Sequence, residues 1–141
     1  MVAALNEMTD RPFGLVVTGE AENWRPVLDM IVGPRWLITY QARSDHEVLE
    51  VVRAGVADAA VLDDSAELGM EALQLLRLIR RMDAMLPVVV VTPRHPERRW
   101  LEDALRLTAF SVVTGPLELE ELLRQIQRMM SRLNQVLRED R

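Results

Sequence analysis

Asp63 and Asp64 are adjacent carboxylates at the end of a short apolar run, AspAlaAlaValLeuAsp from 58 to 63. A second apolar run, ValValValValThr from 88 to 92, follows, and an amphipathic helical period lies between the two. The pattern reads as strand, helix, strand, with both strands buried on two faces. In an open parallel sheet, ligands and chemistry collect at the carboxyl ends of the strands, so the two aspartates mark the place where a site is expected. The alternative is that they are loop acids beside a helix start.

Composition narrows the chemistry open to this position. The chain has no cysteine, which removes thiolate nucleophiles, disulfides and cysteine metal sites. Its two histidines, His46 and His95, are too few for a structural zinc site of their own. All 17 basic residues are arginine, so this chain supplies neither a Schiff-base amine nor a lysine phosphate clamp. There is no GxGxxG or GxxxxGK segment and no Ser, His and Asp spacing that suits a hydrolase. A formal charge of −5 argues against nucleic acid as the direct partner. No run is long enough to span a bilayer, and the N-terminus lacks a basic then apolar signal pattern. The reading is a cytoplasmic protein without a membrane contact, and not an enzyme.

The elements that position the aspartates follow from the hydrophobic pattern. The 141 residues fit one domain. Residues 1–12 form a leader without sustained period. Strands are expected at 13–17, 36–40, 58–62, 88–91 and 110–113, and helices at 22–31, 44–53, 70–82 and 96–107, with a long final helix from Glu118. Ser44 with Glu47 makes a capping box, Gly55 closes that helix, and Pro26 is tolerable in the first turn of its helix. Five strands alternating with helices imply an α/β, doubly wound parallel sheet.

The segment from Asp58 to Arg81 resembles the middle of a bacterial response-regulator receiver domain. The residues that carry the likeness are the strand ending at Asp63, the helix GlyMetGluAlaLeuGlnLeuLeuArgLeuIleArgArg (69 to 81) and LeuProValValValValThr (86 to 92). It continues through AlaLeuArgLeuThrAlaPhe (104 to 110) and ThrGlyProLeuGluLeuGluGluLeuLeu (114 to 123), so that 13–130 are covered. The resemblance implies a flavodoxin-like five-stranded sheet of order 2-1-3-4-5 and a role in two-component phosphorelay signalling.

Such domains take a phosphoryl group on an aspartate after the third strand, beside magnesium held by acids after the first strand. A threonine or serine after the fourth strand and a lysine after the fifth contact the phosphoryl oxygens. Carried over residue by residue, Asp63 or Asp64 holds the phosphoacceptor position. Strand spacing selects Asp63, and counting back from the third helix selects Asp64. Thr92 matches the switch threonine, and Pro116 matches a proline often preceded by a cis peptide. Thr18 and Gly19 stand where the acid pair is expected, Gly115 stands for the lysine, and Val112 replaces the switch aromatic. Glu20 lies one residue beyond the acid positions.

The resemblance therefore implies a pseudo-receiver. Neither Thr18 nor Gly19 offers a carboxylate, which leaves at most weak magnesium binding and no required cofactor. Two further readings follow from the same residues. One is a phosphoacceptor with an atypical site at Asp63 or Asp64 with Thr92, and the other is a small-ligand sensor using a vacated pocket between Thr18, Gly19, Asp63 and Gly115.

The final helix carries a separate signal. Leu122, Ile126, Met129, Leu133, Val136 and Leu137 recur at spacings of three and four, over a helix on the order of 31 Å long. Its first half can pack on the sheet, while 131–141 form a helical extension or linker whose apolar stripe needs another helix. A homodimer, or a signalling protein partner, is expected there. ArgHisProGluArgArgTrp (94 to 100) is a second candidate partner surface, with Trp100 as its anchor.

Overall fold

The computed structural model describes residues 11–139, with side chains as far as residue 135. Five parallel strands, β1 (Phe13–Val17), β2 (Leu37–Gln41), β3 (Ala59–Asp63), β4 (Val88–Thr92) and β5 (Ser111–Thr114), form one sheet in the order β2-β1-β3-β4-β5. The helices are α1 (Arg25–Ile31), α2 (Asp45–Arg53), α3 (Ala72–Met82), α4 (Arg98–Arg106) and α5 (Leu119–Glu139). This is the expected doubly wound topology, with strands matching the sequence reading to within one residue at each end.

Alternation along the strands sends successive side chains to opposite faces, and each face has its own apolar layer. Leu15, Val17, Val61, Val89 and Val91 face α1 and α5, where they meet Leu28, Leu122, Ile126 and Met129. Val16, Ala60, Leu62, Val88 and Val90 face the other way, onto Val48 of α2, Leu75, Leu76 and Ile79 of α3 and Trp100 of α4. The central strands β1, β3 and β4 are buried along their whole length, as a parallel sheet covered on both faces requires.

Three helix starts differ from the sequence reading, the first for a clear reason. The helix expected over 22–31 opens as a 3-10 helix, Gly19–Trp24, and becomes α-helical at Arg25. Pro26 has no N–H to return to the carbonyl of Glu22, so the α ladder cannot run upstream of it. Similarly, α3 begins at Ala72 behind an N-cap at Glu71, with a capping box to Gln74. Helix α4 begins at Arg98, two residues after the Pro96 start expected for it.

Helix α5 corrects the expected dimer seam at three of its six residues. Leu122, Ile126 and Met129 are buried in the domain's own core, at 0%, 3% and 0% exposure, and Leu133 packs half-buried against the same layer. An amphipathic stripe that covers a sheet has the same three-and-four spacing as a coiled-coil seam, so spacing alone could not separate them. The side chains of Val136 and Leu137 lie outside the described residues. Among the described residues no helix is long and apolar enough to cross a membrane.

Candidate functional site

The carboxyl ends of β1, β3, β4 and β5 bring together most of the residues that the sequence marked, but in a closed arrangement. Asp63, the last residue of β3, is 2% exposed. Its Oδ2 accepts from the Glu20 amide at 2.9 Å, and its Oδ1 accepts from the Ser65 amide at 2.9 Å and the Ser65 hydroxyl at 2.6 Å. Both carboxylate oxygens are therefore satisfied by the chain itself.

The residues in the acid-pair positions explain how this happens. Thr18 is fully buried and bridges β1 to β3: its hydroxyl donates to the Val61 carbonyl and accepts from the Asp63 amide, each at 2.9 Å. Gly19 follows with φ +58, a left-handed conformation that brings its backbone against the carboxylate, where any Cβ would collide with Asp63. That turn aims the Glu20 amide at Asp63. Thr18 and Gly19 thus fold the loop inward onto Asp63.

Glu20 then turns its side chain to the other strand end. Its Oε2 accepts from the Leu117 amide at 2.8 Å, and Trp24 donates its indole N–H to the Leu117 carbonyl at 3.0 Å. The 3-10 helix therefore holds the peptide groups on both sides of Leu117, just before α5. Gly115 lies beneath this strap: a Cβ there would sit 3.4 Å from Glu20 Oε1. The Gly115–Pro116 bond is cis, and the Gly115 amide donates to the Thr92 carbonyl at 2.7 Å. The sequence reading weighs Glu20 only as an acid one residue beyond the acid-pair positions, which a local shift could bring nearer, and does not connect it with Leu117. The available signal was the pairing of an acid at 20 with a residue lacking a side chain at 115.

The expected pocket between Thr18, Gly19, Asp63 and Gly115 is thus corrected: the side chains of Asp63 and Glu20 fill it and their hydrogen bonds are internal. Asp64 does something different again. Its Oδ1 accepts from the Ala72 amide at 3.0 Å, at the first turn of α3, which is the helix-start role that the sequence left open. Thr92 is 4% exposed and donates to the Arg94 carbonyl at 3.1 Å. Asp64 and Thr92 border a cleft of about 320 Å³ that also involves Arg94, His95 and Trp100, on the side of β4 away from Asp63. Val112 is partly exposed on the edge strand β5.

A magnesium ion does not fit this donor set. Hard cations need several oxygen ligands, and here the Asp63 oxygens accept protein hydrogen bonds, the Thr18 hydroxyl is spent between two strands, and Glu20 is turned to Leu117. Among the described residues no three His, Cys, Asp or Glu side chains converge as a metal site. The chain has no lysine, and among the described residues no arginine bonds to the carboxylate of Asp63.

Among solved structures, the fold is that of response-regulator receiver domains. A two-component response regulator from Clostridium difficile superposes with a TM-score of 0.70 at 17% identity, covering 86% of this chain and 98% of that one. A CheY-like receiver domain protein from Methanospirillum hungatei gives 0.71 at 15% identity, covering 86% and 95%. The CheX-CheY-BeF3-Mg+2 complex from Borrelia burgdorferi gives 0.68 at 16% identity, covering 90% and 96%. No family model and no curated protein sequence matches the chain.

Proposed function

We propose that this is a receiver-fold signalling domain of the pseudo-receiver kind, which works in the cytoplasm by contact with protein partners and independently of aspartyl phosphorylation. The observation that supports it is the closure of Asp63: it is 2% exposed, both oxygens accept hydrogen bonds from the chain itself, and Gly19 packs against it. Phosphoryl transfer needs positioned counter-charge, and neither a cation site nor a lysine stands there. The domain acts by binding rather than by catalysis. Self-association through the last turns of α5, which carry Leu133, Val136 and Leu137, belongs to the same proposal.

The test is an amide nuclear magnetic resonance spectrum of the full chain with magnesium and then beryllofluoride, an acyl-phosphate mimic. The expected result is no saturable shift of the Gly19, Glu20, Gly115 or Leu117 amides. Saturable shifts confined to those amides would restore the phosphoacceptor reading. Light scattering of the full chain and of a chain ending at Met130 tests self-association, which predicts a larger species for the full chain alone.

A further inference from the structure

The opposite end of the sheet, at the amino ends of the strands, carries a second feature that the Asp63 site does not use. Phe110, just before β5, lies under two guanidinium groups, Arg128 at 5.1 Å and Arg132 at 5.7 Å from the ring centroid. The two arginines are one turn apart on the outer side of α5. Neither is ion-paired with a carboxylate among the described residues, whereas Arg124, one turn earlier, is held by Glu121 at 2.6 Å. Both arginines are exposed, and a guanidinium held over an aromatic ring keeps N–H donors that can take a carboxylate with two parallel hydrogen bonds.

The surroundings concentrate this charge. Arg80 stands close enough to Arg132 that their repulsion adds to burial in holding the Arg80 pKa below the usual arginine value, with Asp83 pulling the other way. Phe110, Arg128 and Arg132 line a shallow groove of about 520 Å³ whose other walls, apart from Arg124, are neutral polar residues including Gln127 and Gln135. Arg132 is also the wall of a neighbouring pocket of about 220 Å³, floored by Met85, Leu86, Pro87 and Leu133, with Asp58 and Asp83 alongside. Met85 is 67% exposed there. An anionic groove-filler and an apolar anchor would thus meet at Arg132.

We infer that this end of the domain docks an acidic peptide segment of a partner protein, with carboxylates on Arg128 and Arg132 and an apolar side chain in the Met85 and Leu133 pocket. A continuous polyanion fits less well. The cationic patch is small, on a chain that carries −5 as a whole, and two adjacent arginines without a carboxylate partner among the described residues match the few carboxylates of a short peptide rather than the many charges of a polyanion. The inference rests on the reading of the domain as a protein-interaction module, and it names the chemistry of one partner.

The test uses the full chain and fluorescence anisotropy of a labelled peptide, GluGluLeuGluGluLeuGluGlu, against its counterpart with every Glu replaced by Gln. The acidic peptide is expected to bind in a salt-sensitive way, and the double variant Arg128→Gln, Arg132→Gln to weaken it at least about tenfold, as the loss of two charge-assisted contacts implies. The double variant Arg98→Gln, Arg99→Gln, with the same change of net charge on α4, is expected to stay within about twofold. Gln127→Glu with Gln135→Glu, which adds carboxylates to the groove and leaves the arginines in place, is expected to weaken binding as well. Equal binding of the two peptides, equal loss in both arginine variants, or tighter binding of a labelled oligothymidylate than of the acidic peptide would each overturn the inference. None of these outcomes bears on whether Asp63 accepts magnesium or phosphate, so the module reading stands or falls separately.

Discussion

The Glu20 amide donates to Asp63 Oδ2 at 2.9 Å while the Glu20 carboxylate accepts from the Leu117 amide in the connection between β5 and α5. One residue therefore ties β1 to both β3 and the start of α5. Removing the acceptor at the centre affects three donors, the Glu20 and Ser65 amides and the Ser65 hydroxyl. Asp63→Ala is expected to lower unfolding stability by about 1–2 kcal/mol, through the loss of hydrogen bonds to a buried carboxylate, since the half-buried Glu20 amide loses its acceptor while the exposed Ser65 donors can turn to water. Urea denaturation followed by circular dichroism measures this, and a change below about 0.5 kcal/mol would show that the bonds are not stabilising.

Gly19 provides an independent probe of the same closure. With φ +58 and Asp63 pressed against it, Gly19→Ala meets both backbone strain and a clash. A loss of about 2–4 kcal/mol is expected. Gly33 also has a positive φ, +89, but a Cβ there would come no nearer than 4.0 Å to the Asp29 carbonyl oxygen, so Gly33→Ala is expected to cost about 1 kcal/mol. The difference between the two isolates the contact with Asp63.

The Glu20 strap is expected to show in hydrogen exchange. In Glu20→Ala the Leu117 amide loses its acceptor at 2.8 Å and should exchange about tenfold faster or more, while Glu20→Gln, which keeps a carbonyl acceptor, should stay within a few-fold of wild type. Unchanged protection of Leu117 in Glu20→Ala would mean that the strap does not hold the β5–α5 connection.

Helix α5 separates core from surface in a way that stability and association can read together. Ile126→Ala and Met129→Ala are expected to cost about 2–5 kcal/mol each without altering oligomeric state, because both side chains face the sheet. A variant at either position that dissociated an oligomer while leaving the fold equally stable would reinstate the seam read from spacing.

Much of the fold was legible because each strand announces itself by β-branched residues and each helix by its period and caps. Ser44 accepts from the Glu47 amide at 3.1 Å as its capping pattern implies. Strand alternation also placed Asp63, which ends β3 pointing toward the β1 loop. What stayed hidden depends on side chains meeting across long stretches of chain. No local pattern says that Glu20 reaches Leu117, that Thr18 bridges Val61 and Asp63, or that Arg80 donates to the carbonyls of Leu86, Leu107 and Thr108. Substitutions at Thr18, Gly19 and Gly115 could be read as losses of a reaction. That they also build a closed hydrogen-bonded unit required three strand ends to be seen together.

Intact mass after incubation with acetyl phosphate and magnesium tests the central claim most directly, on wild type, Asp63→Ala and Asp64→Ala. The expected result is an unmodified mass for all three. A stoichiometric phosphoryl adduct on wild type that is lost in one aspartate variant alone would contradict it and identify that aspartate as the acceptor.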